Sequence, residues 1–229
     1  MCVKCSLPVS EKMRLALEDP DLYEGDMVGN LRSVDRNVKR GDEFRWPNAA
    51  VPYVIDQALL AHSDVILKGM KNYHDNTCVR FVPRTTEKDY VNIYQGGKCS
   101  SAVGRVGGQQ NLSLGNECLV VGTVIHELGH ALGFYHEQSR SDRDEFVIIY
   151  KENMKNGTEG NFVKLEPHQN ILYTEFDYDS IMIYGNKAFS KDGQSNTIEA
   201  KNGQELLPSF QKKSLTESDI VSVKKMYKC

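Results

Sequence analysis

The chain has 229 residues, 40% of them hydrophobic and 26% charged, with a formal net charge of −3 at pH 7. That is enough to bury the core of one large domain, or of one domain with a short appendage. The near-balanced charge gives no electrostatic case for nucleic-acid or anionic-membrane partners, and no apolar run reaches the length that spans a bilayer.

In chain order, residues 10–19 read as a short amphipathic helix stopped by Pro20. A polar stretch with Gly25, Gly29, Arg32, Arg36 and Arg40 comes next and reads as an irregular, protease-accessible leader. From Trp46 the texture changes: residues 51–55 predict a strand, 58–75 a helix and 91–94 a second strand. Residues 104–114 alternate glycine with apolar side chains and predict an edge strand. A mostly apolar helical pattern occupies 119–132 and stops near Gly133. Beyond 145 the sequence loosens until a last helix over 216–227. There is no internal repeat, and helices and strands mixed without strict alternation predict an α+β fold.

Four cysteines, Cys78, Cys99, Cys118 and Cys229, are widely spaced. A cysteine at the last position reads as a staple, which points to an oxidising compartment and a secreted chain. Sequons at Asn111 and Asn156 agree with secretion, although such triplets are frequent by chance. Residues 1–5 show no apolar core behind a basic start, so no secretory signal is legible there. Cys2 and Cys5 leave a small metal or redox motif open, but nothing nearby offers partner ligands.

The decisive segment is His126-Glu127-Leu128-Gly129-His130-Ala131-Leu132-Gly133-Phe134-Tyr135-His136. Residues four apart on a helix lie one above the other, so His126 and His130 can reach one metal. Gly133 permits a backbone turn closed to other residues, which lets His136 approach from another direction. Three nitrogens suit one zinc ion and leave a coordination position for solvent, which separates a catalytic from a closed structural site. Glu127, beside His126, is placed to act as general base and acid on a water whose pKa zinc lowers toward about 7. The bland alternative is three ordinary histidines on a core helix. Five such fixed positions recur by chance on the order of once in 10⁵ chains of this length, and three of only six histidines share this register. His62, His74 and His168 have no such company and read as surface or core residues.

The match extends through residues 136–144, His-Glu-Gln-Ser-Arg-Ser-Asp-Arg-Asp, through Ser180-Ile181-Met182-Ile183-Tyr184-Gly185, and through the ending at residues 215–229. Over roughly Asn37 to Cys229 the chain resembles the astacin family of metzincin zinc endopeptidases. The resemblance implies a twisted mixed sheet with two long helices above the cleft and an irregular lower subdomain. It implies that Met182 lies beneath the zinc as an apolar floor, where a lone methionine would otherwise read as core filler. Tyr184 would ligate the resting zinc and then hydrogen-bond the tetrahedral intermediate. Ile183 departs from the family, which commonly has His there; altered packing and retained activity are expected. The implied disulfides are Cys78–Cys229 and Cys99–Cys118, the second bracing the 104–114 strand along which an extended substrate would pair.

Residues 1–36 precede the resemblance to the catalytic domain, 37–229, and the family has inhibitory propeptides here. Tyr23-Glu24-Gly25-Asp26 is similar to its Phe-x-Gly-Asp switch, in which Asp26 would bind the zinc; taken alone it reads as a simple Gly-Asp turn. A thiolate from Cys2 or Cys5 is the minority alternative. A trypsin-like protease cutting after Arg36 would expose Asn37, whose ammonium the family buries beside the residue matching Glu137; cutting after Arg40 competes. The chain is thus expected to be the zymogen of a secreted, monomeric zinc endopeptidase acting on proteins or peptides, without appended modules. A non-catalytic zinc-binding protein or toxin, and a structural zinc protein, are the alternatives; Glu127 and the lack of a fourth His or Cys ligand speak against them.

Overall fold

The computed structural model describes residues 7–29 and 42–229. Cys2, Cys5, Arg32, Arg36, Asn37 and Arg40, and with them both candidate activation sites, lie outside the described residues.

Helix α1 (Val9–Ala16) starts the chain, close to the expected 10–19 but ending three residues earlier, as Leu17 and Glu18 turn back onto Arg14 O and Leu15 O. For residues 23–27 the structure corrects the expectation of an irregular, accessible stretch, whose arginines at 32, 36 and 40 lie outside the described residues. Tyr23, Glu24, Asp26 and Met27 are all buried. Glu24 and Gly25 carry positive φ (46° and 82°), and the turn closes with Met27 N–H donating to Tyr23 O at 3.0 Å. Strand β1 (Met27–Val28) then adds to the main sheet. Polarity misleads here because these polar atoms are satisfied by the body of the protein rather than by water.

The body supplies β2 (Ala50–Ile55), α2 (Ser63–Asn76), β3 (Arg80–Pro83), β4 (Tyr90–Tyr94), β5 (Ser100–Ala102), β6 (Gln109–Ser113) and α3 (Val121–Leu132). The sheet runs β1-β5-β6-β4-β2-β3, parallel throughout except for the antiparallel β5–β6 pair. Residues 104–114 are therefore not an edge strand: Gly104, Gly107 and Gly108 turn at positive φ, and β6 lies inside the sheet between β5 and β4. Strand β1, from the N-terminal segment, covers β5 and forms the edge on this side. Helices α2 and α3 cross one face of the sheet, and Tyr73, Ile66, Ile93, Leu112, Ile125 and Leu128 fill the space between.

Below α3 the chain is irregular. A two-stranded sheet, β7 (Val147–Ile149) with β8 (Ile198–Ala200), and a second core around Phe162, Phe189 and Ile183 hold it. Ile183, where the family pattern has His, is 1% exposed and takes an ordinary place in that core. The last helix, α4 (Glu217–Tyr227), begins with a reciprocal capping box: Asp219 N–H donates to Thr216 Oγ1, and the Asp219 carboxylate accepts from Thr216 N–H. Cys229, just past it, is bonded to Cys78 at the end of α2, and Cys99 to Cys118 beside β5. The architecture is the expected α+β arrangement of an upper sheet-and-helix layer over an irregular lower part.

Candidate metal centre and cleft

α3 is buried along nearly its whole length, and its C-terminus determines where the third histidine points. The last four carbonyls of a helix lack helical partners, and here each finds one. Phe134 N–H donates to Gly129 O and Gly133 N–H to His130 O, the paired bonds of a Schellman motif. Gly104 N–H also reaches His130 O, Trp46 Nε1–H reaches Ala131 O at 2.8 Å, and Tyr227 O–H reaches Leu132 O at 2.9 Å. Gly133 sits at φ +117°, and a Cβ there would lie 2.7 Å from Arg45 Nη1. Gly129 serves a close approach instead: its missing Cβ leaves room for Met182 Sδ, which would otherwise be 2.8 Å away, so Met182 packs directly under the helix.

This geometry brings His126, His130 and His136 together. Their Nε2 atoms lie 3.1 Å (His130 to His126) and 3.3 Å (His136 to His126) apart, and all three rings are at most 3% exposed. His126 donates Nδ1–H to Ile181 O at 2.8 Å and His130 donates to Phe134 O at 2.9 Å. A carbonyl can only accept, so each ring's Nε2 presents a lone pair to the shared centre. His136 donates Nδ1–H to the Glu24 carboxylate at 2.7 Å. Asp26 completes the group: Oδ2 is 3.1 Å from His126 Nε2 and 3.4 Å from His136 Nε2, and Oδ1 is 3.4 Å from His130 Nε2. Three lone pairs and a carboxylate converging in a buried space form a donor set that fits a cation. Imidazole with carboxylate is the chemistry of zinc.

The charges agree. Burial pulls the His126 imidazole down to about 4, keeping it neutral. Burial alone would also lower His136, but the Asp26 and Glu24 carboxylates outweigh it and push it up to about 9; with no cation bound its Nε2 holds a proton against Asp26, and a bound cation takes that proton's place and frees the lone pair. Glu127 is fully buried, and neither of its oxygens has a hydrogen-bond partner among the described residues. Burial, with the Asp26 carboxylate adding to it, holds the Glu127 carboxyl well above the usual carboxylate range. Tyr184 lies against His136, ring centres 4.6 Å apart, and its hydroxyl donates to Glu24 O at 2.6 Å. Glu137 accepts from Arg140 Nη1 and Asp177 N–H, both at 2.9 Å; burial outweighs them and raises it to about 7. Of the remaining histidines, His74 accepts from Phe81 N–H at 2.9 Å, a purely structural bond.

A cleft of about 370 Å³ opens beside the centre, lined by His126, His136, Tyr184, Pro208 and, from the N-terminal segment, Leu17 and Asp26. α1 forms its outer wall, anchored by Glu18, whose buried carboxylate accepts from Arg14, Lys155 and the Phe189 N–H. Sequence reading missed three contributors: Glu24, Ser139, which donates to Glu24 at 2.8 Å, and Gln138, whose side chain accepts from Tyr184 N–H. The only sequence signal for them was that they lie inside or beside the recognised motifs.

Known proteins agree with this geometry. The family model described as astacin, a peptidase family, matches residues 38–228. Astacin-like metalloprotease toxin 1 of Loxosceles intermedia is 47% identical over 97% of this chain and 84% of its own length. Zinc metalloproteinase nas-4 of Caenorhabditis elegans is 36% identical over 94% of this chain and 68% of its own. Among solved structures, High choriolytic enzyme 1, a hatching enzyme zinc-protease from Oryzias latipes, superimposes with a TM-score of 0.76 at 37% identity, covering 82% of this chain and 96% of its own. With the three-histidine centre on its glycine-capped helix, the chain belongs to the astacin family and is a zinc metallopeptidase.

Proposed function

We propose that residues 1–36 are an inhibitory leader and 37–229 the catalytic domain of a monomeric endopeptidase, secreted as a zymogen, that cleaves internal peptide bonds of extracellular proteins. One observation carries the reading: a leader carboxylate, Asp26, lies within 3.1–3.4 Å of the Nε2 atoms of all three histidines. It fills the position that solvent and substrate need. In this reading His126, His130 and His136 hold the zinc and Asp26 is the fourth ligand of the latent form, over the apolar floor of Met182.

When bound, zinc supplies Lewis acidity that lowers the pKa of a water from about 15.7 toward about 7. Glu127, buried beside His126 with no hydrogen-bond partner among the described residues, would take a proton from that water and return one to the leaving amine. Tyr184, released from Glu24 O when the leader departs, would be free to serve as a zinc ligand at rest and as a hydrogen-bond donor to the oxyanion. Cleavage after Arg36 by a trypsin-like protease gives Asn37, whose ammonium pairs with Glu137. A cavity of about 70 Å³ borders Glu137, Arg140, Ser222 and Met226, and an added cation would offset the burial that raises Glu137.

Casein hydrolysis by the intact chain and by the chain cut after Arg36 tests the proposal. The cut form is expected to be active and chelator-sensitive, the intact form silent, and intact Asp26→Ala to gain activity. Glu127→Gln should lower kcat by about 10²–10⁴ while keeping stoichiometric zinc. Equal activity of cut and intact wild type overturns the leader, and a full rate in Glu127→Gln overturns the base. An active form beginning at Gly41 moves the cut to Arg40.

A further inference from the structure

The three histidines are oriented by different parts of the chain. His126 and His130 donate Nδ1–H to Ile181 O and Phe134 O, carbonyls of the catalytic part. His136 alone donates to a side chain, the Glu24 carboxylate, which lies 112 residues earlier in the leader. Glu24 is 0% exposed; its second oxygen accepts from Ser139 Oγ, and its carbonyl accepts from Tyr184 O–H. Its φ of +46° is a conformation that a glutamate seldom adopts and that only surrounding contacts sustain. A buried carboxylate held in a strained turn against a ligand's back nitrogen does more than close a loop.

We propose that Glu24 is a positioning residue for the metal centre. The leader then grips the centre twice, Asp26 facing the three Nε2 atoms and Glu24 holding His136 from behind, so that the precursor binds zinc more tightly than the processed enzyme. The proposal rests on the reading of residues 1–36 as a removable leader. A carboxylate on Nδ1–H fixes the tautomer with Nε2 unprotonated, sets the ring's orientation and raises its basicity as a ligand. Removal of the leader leaves His126 and His130 with their carbonyl partners, while His136 exchanges a carboxylate for whatever solvent reaches it. The third histidine thereby becomes the weak corner of the mature site, and Ser139 and Tyr184 lose their acceptors in the same event.

The test is zinc affinity of the intact, uncut chain, measured by competition with a chromogenic chelator, for wild type, Glu24→Ala, Glu24→Gln and Asp26→Ala. Circular dichroism and the melting temperature of the zinc-free chains monitor folding. Glu24→Ala is expected to weaken zinc binding about 10–100-fold. Glu24→Gln, which keeps an acceptor for Nδ1–H without the charge, should fall between and decides the matter if the alanine variant does not fold. Wild-type affinity within twofold in the folded variants overturns the proposal. If Asp26→Ala weakens binding and the Glu24 variants do not, only this inference fails; if Asp26→Ala also binds as wild type, the leader reading fails with it.

Discussion

Gly133 ends the helix that carries His126 and His130 and aims the loop that carries His136. With φ at +117° and Arg45 Nη1 2.7 Å from where a Cβ would sit, Gly133→Ala is strained in backbone and in space. The expected loss is about 1–3 kcal/mol, read as a lower denaturant midpoint together with weaker zinc binding, since the same turn directs His136. An alanine variant that kept both would show that the turn is not what sets the ligand. At this scale the histidine trio was legible because catalysis compresses it into eleven consecutive residues of known helical geometry. Asp26 was legible only through family resemblance, since a Gly-Asp pair by itself says turn. Glu24 was not legible, because its meaning lies entirely in a nitrogen 112 positions away.

The N-terminus of α4 is more than an end cap. Asp219 closes the capping box with Thr216, and the same carboxylate accepts from Ser180 Oγ at 2.7 Å and Ile181 N–H at 3.0 Å, tying the helix to the turn before Met182. The two halves of the box should therefore differ: Thr216→Ala is expected to cost about 1 kcal/mol. Asp219→Ala is expected to cost more, about 2–3 kcal/mol, because it strands buried donors on two elements. Equal midpoint shifts in a urea titration would contradict this. Burial outweighs these donors and raises the Asp219 carboxyl above its ordinary 3.8. The folded chain thus takes up this proton before the unfolded chain does, so the group's own contribution to stability grows as pH falls through that window and is smallest above it. Elements with a full period, α2, α3, α4 and β2, were readable from the sequence. Strands β5, β7 and β8 have three residues each, too few for alternation to appear, and the glycines of 104–108 looked like strand because their turns lie close together along the chain.

Taken whole, the molecule is an ordered upper layer and a loosely structured lower one, closed by two disulfides of very different reach. Cys78–Cys229 spans 151 residues and Cys99–Cys118 spans 19. On the chain-entropy account these are worth roughly 5 and 3 kcal/mol. The double variant Cys78→Ser with Cys229→Ser should therefore lose more stability than Cys99→Ser with Cys118→Ser, as measured by calorimetry on the intact chain. The reverse order would mean that local packing beside β5 outweighs the long closure. The α+β layering was foreseeable from the mix of elements; the burial of residues 23–27 was not, because Glu24 and Asp26 meet partners that only the folded body provides.

The last turn of α3 borrows hydrogen-bond partners from positions 46, 104, 134 and 227, so distant stretches of the polypeptide are knotted at one spool of backbone. Such a corner has no private flexibility. Loosening it means unseating an early tryptophan and a tyrosine near the far end of the chain at the same time, which makes the integrity of the catalytic apparatus a readout of the cooperativity of the entire domain.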